Sequence, residues 1–340
     1  MQHQESSEPG AGGPTLGEVG EAGVLAEVFA RLRPDRHGRV LVGPGDDTAY
    51  LRTGGAVLAT TDTVVQGRDW VDRWSGAADV GAKVVVQNLA DIAAMGGVGT
   101  ALLVTLVAPE TLPLSWAVAL TEGLAAAADS AGVPVVGGDL SSGEVVMVSV
   151  TALGELAPGV SAPVRRSGAV PGQALAVSGP LGRSAAGLEL LRRGDADRWP
   201  PPEQAERAGD YVGYHCAPDP DLNQGPVAAV AGAGAMIDVS DGLLRDAGRV
   251  ATASGVRIDL DALAVAELAV PLAEVLGGER ALECVLTGGE EHVLLATFLP
   301  GQTPPGWTEV GLVGAPGEEE PGVWWRGERV RRGGWDHFGG

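Results

Sequence analysis

The sequence contains one lysine, Lys83, among its 340 residues. A Walker-A loop needs a lysine after its glycines and a protein-kinase site needs one on a strand, so both kinds of nucleotide site are excluded. Basic side chains are scarce as a whole, because 23 Lys and Arg face 44 Asp and Glu and leave a formal net charge of -21. This charge argues against nucleic acid or an anionic membrane as a partner. If a nucleotide binds here, metal ions and arginine must neutralise its phosphates.

Cysteines and long apolar runs are also rare. Cys216 and Cys284 are isolated in the sequence and show neither a metal-ligand spacing nor a disulfide framework. No apolar run is as long as a membrane span, and the polar, Gly-rich N-terminus lacks the basic region and the apolar core of a signal peptide. We therefore expect a cytoplasmic protein without a membrane partner.

The length and the apolar pattern indicate two domains. A chain of 340 residues is too long for one small core. Residues 1–14 are rich in Gly, Pro and Glu and are predicted to form a disordered tail. Strands and helices mix along residues 15–160, which predicts an α/β (or α+β) domain, and a second α/β block is predicted over residues 161–340.

Aspartates stand at the ends of several apolar runs, each beside glycine or a hydroxyl residue. The five segments are Gly45-Asp46-Asp47, Thr60-Thr61-Asp62-Thr63, Asn88-Leu89-Ala90-Asp91, Gly137-Gly138-Asp139 and Ile237-Asp238-Val239-Ser240-Asp241. Carboxylates from such distant segments suggest a gathered site for hard cations. Mg²⁺ prefers oxygen ligands and is usually held by a few carboxylates together with the phosphates of a nucleotide. The pattern therefore points to phosphoryl transfer.

A polar stripe interrupts the apolar helix predicted over residues 79–95. Lys83, Gln87 and Asp91 recur every fourth residue, and Asn88 lies beside them. Such a stripe must face either water or a polar site. Solvent exposure is the simpler interpretation, but the strand-end aspartates favour Asp91 as a metal ligand.

Each of the other motifs, taken alone, also has a simpler explanation. Asp46 and Asp47 follow Gly-Pro-Gly and could form a solvated turn, and Ser240 or Asp241 could cap the following helix. The turn Gly179–Gly182 opens a helix whose N-terminus could attract phosphate, although tight packing of strand against helix explains it better. A single metal cluster would explain all the aspartate motifs together.

The ordered set of motifs resembles the thiamine-monophosphate kinase family, of the superfamily that includes aminoimidazole ribonucleotide synthetase and selenophosphate synthetase. The resemblance runs from about Gly20 to Phe338. Beside the aspartate segments it includes Arg-Ser-Gly-x-x-Pro-Gly (166–172), Ser-Ala-Ala-Gly-Leu (184–188), Ile-Asp-x-Ser-Asp-Gly-Leu (237–243), Gly-Gly-Glu (288–290) and Asp-His-Phe (336–338).

The resemblance implies the two-domain fold of aminoimidazole ribonucleotide synthetase and a homodimer whose N-terminal domains share a barrel-like sheet. It also implies ATP as co-substrate and several bound Mg²⁺ ions. The implied reaction transfers the γ-phosphoryl group of ATP to thiamine monophosphate and gives thiamine diphosphate and ADP.

The implied site residues follow from motif position. The metal ligands would be Asp47, Thr60, Thr61, Asp62, Asp91, Asp139, Asp238 and Asp241, and the catalytic residues among them Asp62, Asp91 and Asp139. The ATP contacts would be Gly138, Arg166 and Ser240, and the acceptor contacts would be Asp69, Glu290 and Trp335.

Several segments depart from the family pattern, most of them outside the presumed ATP and metal motifs. Residues 67–70 read Gly-Arg-Asp-Trp where the family usually has Gly-x-His-Phe, residues 217–222 replace a basic segment, and Glu291 replaces an aspartate. Asp69 beside a phosphorylated acceptor would be electrostatically unfavourable, and Trp70 could either stack on an aromatic acceptor or pack in a core. The acceptor could therefore be thiamine monophosphate or another small molecule. A non-catalytic nucleotide-binding homologue is the third alternative.

Overall fold

The computed structural model describes residues 13–33, 35–44, 49–195, 200–201, 204–316 and 320–330. Most of the tail predicted at residues 1–14 lies outside this range, as do the predicted site residues Asp47 and Trp335. The described chain mixes helices and strands, which confirms the predicted fold class.

The helices are α1 (Leu16–Phe29), α2 (Ala77–Ala94), α3 (Leu114–Ser130), α4 (Arg183–Asp195), α5 (Ala205–Cys216), α6 (Gln224–Val230), α7 (Leu243–Ser254), α8 (Ala262–Leu276) and α9 (Gly278–Thr287). The strands are β1 (Val40–Val42), β2 (Tyr50–Leu51), β3 (Leu58–Val65), β4 (Gly97–Ala108), β5 (Val135–Ser142), β6 (Met147–Leu156), β7 (Ala174–Val177), β8 (Met236–Asp238), β9 (Arg257–Leu260), β10 (Leu294–Phe298), β11 (Thr308–Gly314), β12 (Gly322–Trp325) and β13 (Glu328–Arg329). Within the ranges that the structure describes, no helix is both long enough and apolar enough to cross a membrane.

The chain divides into two compact units, neither of which is continuous in sequence. The first comprises Met1–Gly54, Thr61–Val85 and Thr100–Ala152, and the second comprises Gly55–Thr60, Val86–Gly99 and Leu153–Gly340. The domain boundary near residue 160 stays a prediction.

The first unit contains most of a four-stranded sheet with the order β3-β6-β4-β5. Strands β4 and β5 pair in parallel, so that Gly138 stands opposite Val104 and Asp139 opposite Thr105. Helix α3 buries a stripe of small and branched residues, Ala117, Leu120, Leu124 and Ala128, at the spacing expected of an amphipathic helix.

The second unit is built on a seven-stranded sheet with the order β13-β12-β9-β11-β7-β10-β8. Strand β7 is buried on both faces, because Leu175 and Val177 enter one apolar cluster and Ala176 enters another. Strand β10 beside it is fully buried as well, as expected for a central strand covered on both faces. This packing fixes β8, whose last residue, Asp238, leads into the loop before α7.

Candidate active site

Asp91 is oriented by a hydroxyl of a neighbouring strand. Thr60 donates a hydrogen bond from Oγ1 to Asp91 Oδ2 over 2.6 Å, and both residues belong to the second unit. On the same helix, Lys83 is 3% exposed and Asn88 is 0% exposed. The solvent-exposure interpretation is therefore wrong for Lys83 and Asn88, while Gln87 and Asp91 are half-buried.

Asp62 lies inside a strand rather than after one. Strand β3 continues through the whole Thr-Thr-Asp-Thr motif to Val65, so the prediction that the motif ends the strand is wrong. Threonine favours strands, and Thr61 reinforces this one by donating to Val150 O over 3.0 Å and accepting from Thr151 Oγ1 over 3.1 Å. The Asp62 side chain is half-buried.

Asp139 is likewise inside its strand, since β5 extends past the Gly-Gly-Asp motif. Its exposed carboxylate accepts a hydrogen bond from Ser141 Oγ over 2.8 Å. The preceding residue must be glycine, because a Cβ at Gly138 would lie 1.7 Å from Val104 O. The placement of Asp139 at the end of an apolar run is therefore not the end of the strand, since Gly138 pairs with Val104 of β4 and the strand continues to Ser142.

Asp238 ends β8 in a buried position. Its side chain is 5% exposed, and Oδ2 lies 3.2 Å from His292 Nδ1. The following loop leads to α7, whose N-cap is Gly242, and no side chain in the described chain caps this helix. The interpretation of Ser240 or Asp241 as a helix cap is therefore wrong, which leaves both side chains for another role.

Charges gather around this loop. Arg249 bridges two carboxylates, donating from Nη1 to Asp246 Oδ1 over 2.6 Å and from Nη2 to Asp241. Arg245 lies 3.7 Å from Asp241. Burial and, next, the negative charge of Asp238 raise the pKa of Asp246 to about 7. Carboxylates that oppose one another in this way are stabilised by an added cation.

The Gly-Gly-Glu loop packs against the loop before α7. Glu290 donates from its backbone N to Ser240 O over 2.8 Å, and its Oε2 lies 3.5 Å from His215 Nδ1. Glu290 and His292 both have positive φ, 58° and 56°. L residues rarely adopt this conformation, and where they do, it is often at a functional site.

Glu291, between Glu290 and His292, is completely buried, and its side chain binds the N-terminus of α4. Its Oε1 accepts from Ser184 N over 2.6 Å, and its carbonyl oxygen accepts from Tyr214 OH over 2.7 Å. Arg183 Nε lies 3.8 Å from Oε2. Because a protein carboxylate already occupies this helix end, the structure favours packing over phosphate binding as the role of the turn Gly179–Gly182.

Stability is expected to depend on pH through Glu291. Burial raises the pKa of its carboxyl to about 7, so the folded protein holds a proton that the unfolded chain releases near its ordinary pKa of about 4.3. The contribution of Glu291 to the free energy of unfolding is therefore fully present below that ordinary pKa and is lost, by up to about 3 kcal/mol, as the pH rises to about 7. Chemical denaturation should show that the stability difference between Glu291→Gln and the wild type shifts in favour of the variant between about pH 5 and about pH 8, because only the wild type loses a proton in this range. An equal difference at both pH values would contradict the raised pKa.

Arginines line a cavity in the second unit of about 650 Å³. Arg166 is exposed at its edge and accepts a hydrogen bond at its carbonyl oxygen from Ser254 Oγ over 2.8 Å. Arg245, Arg249 and Arg329 line the same cavity. Guanidinium groups bind phosphate well, but Arg245, Arg249 and Arg329 are already paired with carboxylates, so an anion in this cavity would have to share them.

Residues 67–70, which depart from the family pattern, form a turn in which the side chains of Asp69 and Trp70 contact nearby residues of the same chain. Asp69 Oδ2 accepts from Val65 N over 2.7 Å and closes the turn after β3. Trp70 is 5% exposed, and its ring centroid lies 6.2 Å from that of Trp116. Packing is therefore the role that the structure gives Trp70, and its indole N–H donates to Asp72 Oδ1 over 2.9 Å.

The donor chemistry fits magnesium. Every predicted ligand offers oxygen, and within the described residues no three His, Cys, Asp or Glu side chains converge to hold a metal ion by themselves. Mg²⁺ is commonly held by one or two carboxylates and completed by water and substrate phosphates. The predicted ligands that the structure describes are Thr60, Thr61, Asp62, Asp91, Asp139, Asp238 and Asp241.

Comparison with known proteins first identifies the broad class of proteins that this chain resembles. Residues 45–156 match the family model described as AIR synthase related protein, N-terminal domain. This range contains three of the aspartate motifs whose geometry is described above, at Asp62, Asp91 and Asp139. Residues 45–156, with these motifs, thus resemble the N-terminal domain of AIR synthase related proteins.

Relatives that match most of the chain identify the particular family within this class. The thiamine-monophosphate kinase of Mycobacterium tuberculosis is 44% identical over 304 residues, which cover 88% of this chain and 86% of that protein. The thiamine-monophosphate kinase of Corynebacterium glutamicum is 39% identical over 307 residues, 88% of each chain. The structure of AaThiL complexed with AMPPCP and TMP superposes with a TM-score of 0.74 at 30% identity and covers 94% of this chain and 98% of that one. The chain belongs to the thiamine-monophosphate kinase family, which confirms the resemblance found in the sequence.

Proposed function

We propose that this protein transfers the γ-phosphoryl group of ATP to thiamine monophosphate and forms thiamine diphosphate and ADP. The observation that carries the proposal is the match to AaThiL complexed with AMPPCP and TMP, which spans 94% of this chain. AMPPCP is an analogue of ATP, so that protein binds a nucleotide and TMP together. The 44% identity to a thiamine-monophosphate kinase supports the same acceptor.

The proposed metal ligands are six aspartates from the five motifs and two threonine hydroxyls. Bound Mg²⁺ would supply neutralisation of the phosphate charge. Thr60 holds the Asp91 carboxylate in one orientation through a 2.6 Å hydrogen bond, and His292 lies 3.2 Å from Asp238. The full set is Asp47, Thr60, Thr61, Asp62, Asp91, Asp139, Asp238 and Asp241.

The proposed ATP contacts are Gly138, Arg166 and Ser240. Arg166 lines a cavity of about 650 Å³ with three further arginines. Those three are each paired with a carboxylate, which makes Arg166 the main candidate for a phosphate contact in a chain that has a single lysine. Gly138 is exposed, but β4 occupies the space of its missing side chain, so its contact with ATP would be made by the backbone.

The proposed acceptor contacts are Glu290 and Trp335, whereas the Asp69 carboxylate, which the sequence also assigns to the acceptor, accepts from Val65 N and is proposed to act in the turn after β3. The phosphate of thiamine monophosphate is already ionised near neutral pH, so the reaction needs no strong general base. The residues of the site have to position two phosphate groups and offset their charge, which is the main contribution of the protein in phosphoryl transfer. We also propose a homodimer, as the family resemblance implies.

Asp69→Ala is expected to lower the free energy of unfolding by about 1 kcal/mol, because Val65 N loses the hydrogen bond that it donates to the Asp69 carboxylate and one such bond contributes about that much. Asp69→Asn is the matched control, since its amide oxygen can still accept that hydrogen bond. Denaturation curves measure the stability, and the KM for thiamine monophosphate should stay within about 3-fold of the wild type in both variants. A much larger rise of KM in both would show that acceptor contact is the main role of Asp69.

A panel of acceptors tests the proposed function. The protein is incubated with ATP, Mg²⁺ and either thiamine monophosphate or other phosphorylated and unphosphorylated small molecules, and products are resolved by mass. We expect thiamine diphosphate as the principal product. If another member of the panel is phosphorylated and no thiamine diphosphate forms, thiamine monophosphate is not the acceptor, although the protein is still an ATP-dependent kinase.

A further inference from the structure

We propose that Glu291 is a positioning residue, which holds Glu290 and His292 in the backbone conformation that the site requires. The inference rests on the proposed function, because Glu290 is assigned there to the acceptor and Asp238, the neighbour of His292, to the metal. Glu291 itself would touch neither substrate nor metal.

The backbone around Glu291 is unusual. Three non-glycine residues in the described part of the chain have positive φ, and two of them, Glu290 at 58° and His292 at 56°, flank Glu291. An L residue in this region crowds its Cβ against the backbone. Such a conformation persists only where the surroundings fix it. A pair on either side of one buried residue indicates that this residue is the anchor.

Every polar group of Glu291 except Oε2 forms a hydrogen bond within the described residues. Its backbone N donates to Val239 O over 3.2 Å, and its carbonyl oxygen accepts from Tyr214 OH over 2.7 Å. Its Oε1 accepts from Ser184 N over 2.6 Å, at the positive end of the α4 dipole. These bonds come from three separate elements, so the position of Glu291 is determined by the fold.

The remaining oxygen faces a cation. Glu291 Oε2 and Arg183 Nε are both buried without a hydrogen-bond partner in the described residues and lie 3.8 Å apart. The Arg183 guanidinium also stacks on Tyr214, with its carbon 3.6 Å from the ring centroid. The carboxylate thus faces a positive group that is held in place by the same tyrosine that binds the Glu291 carbonyl.

The anchor acts on both neighbours. Glu290 donates from N to Ser240 O over 2.8 Å, and His292 donates from N to Val239 O over 3.0 Å. These two bonds join the segment to the Ile-Asp-Val-Ser-Asp loop. His292 Nδ1 then lies 3.2 Å from Asp238 Oδ2. A displacement of Glu291 would therefore move an acceptor-side carboxylate and the partner of a metal-side carboxylate together.

Glu291→Gln tests the role with little change in volume. The assays are run at about pH 8, above the raised pKa of Glu291, where the wild type presents a carboxylate to Arg183. In the variant the amide oxygen can still accept from Ser184 N, but the amide nitrogen sets a donor against Arg183 Nε. We expect the KM for thiamine monophosphate and the Mg²⁺ concentration for half-maximal rate to rise about 10- to 100-fold, as when the support of a ligand shell is removed. Glu291→Asp, which restores the residue usual in the family, should stay within about 3-fold of the wild type.

Tyr214→Phe provides a second and milder variant. It keeps the ring under Arg183 and removes the donor to the Glu291 carbonyl, so the same two constants should rise about 3- to 10-fold, as expected for one lost hydrogen bond. Glu189→Gln is the matched control, because Glu189 is a half-buried carboxylate paired with Arg193 and Arg280 away from this loop. Its constants should stay within about 2-fold of the wild type.

Amide hydrogen exchange of residues 289–292 in the full chain gives a readout that does not need turnover. We expect exchange about 10-fold faster or more in Glu291→Gln and near wild-type exchange in Glu189→Gln. If the wild type makes no thiamine diphosphate, the proposed function fails, and the exchange rates still decide the inference. Unchanged exchange, or a lowered Tm with both kinetic constants unchanged, would overturn it.

Discussion

Asp62→Asn and Asp91→Asn are each expected to lower kcat by on the order of 1,000-fold or more, because each removes the negative charge of a proposed metal ligand at nearly constant volume. Asparagine at position 91 can still accept the hydrogen bond that Thr60 donates to Asp91 Oδ2, so the local structure should survive. The measurement is steady-state turnover with ATP and thiamine monophosphate over a wide range of Mg²⁺ concentration.

The control for these variants is Asp261→Asn. Asp261 caps α8 and accepts from Leu263 N and Ala264 N, so the substitution changes a carboxylate in the same way at a helix end that has no part in the proposed site. Its kcat should stay within about 2-fold of the wild type. Full activity of both Asp62→Asn and Asp91→Asn at saturating Mg²⁺ would refute their assignment as metal ligands.

Gly138→Ala is expected to have the second largest effect. Its Cβ would lie 1.7 Å from Val104 O, so β5 must move away from β4 at the residue before Asp139. We expect a loss of about 3 kcal/mol of stability or more and a kcat lowered by on the order of 100-fold. Denaturation curves and turnover measure the two effects separately.

Gly137→Ala is the matched control in the same strand. The nearest atom to its Cβ would be Leu103 Cδ2 at 3.3 Å, and the end of a leucine side chain can shift. Its loss of stability should be about 1 kcal/mol or less. Equal losses in the two variants would contradict the close approach of β5 to β4 at Gly138.

The sequence predicts the motif residues of the site better than their setting. The aspartates are recognisable because each stands beside glycine or hydroxyl residues at the edge of an apolar run. The ends of the strands are misplaced, because β3 and β5 continue through Asp62 and Asp139. Threonine, glycine and aspartate on an exposed strand face resemble a loop in composition, and only pairing with a neighbouring strand keeps them extended.

Helical periodicity predicts a helix over residues 79–95, close to the observed α2 (Ala77–Ala94), whereas no element is predicted for residues 262–287. Helix α8 is apolar almost throughout and contains Pro271, which usually signals a helix end. Its burial against the rest of the second unit compensates for this residue, and that information is absent from the local sequence.

The residues that hold the site residues in place, such as Glu291 and Asp246, are not predicted from the sequence. Glu291 is bonded to Ser184, 107 residues away, and to Tyr214, 77 residues away. Asp246 is recognisable only weakly, by its spacing of three residues from Arg249 on a helix. Contacts of this kind arise from the packing of distant elements, so no local pattern in the sequence records them.

The most direct measurement of the central claim follows the γ-phosphoryl group of ATP. ATP labelled in that group is incubated with the full chain, Mg²⁺ and thiamine monophosphate, and the labelled products are separated. We predict label in thiamine diphosphate, with one ADP formed for each product, at a rate of about 0.1 to 10 per second, within or somewhat below common enzyme turnovers. Label that stays in ATP or appears only as inorganic phosphate would contradict the proposed function.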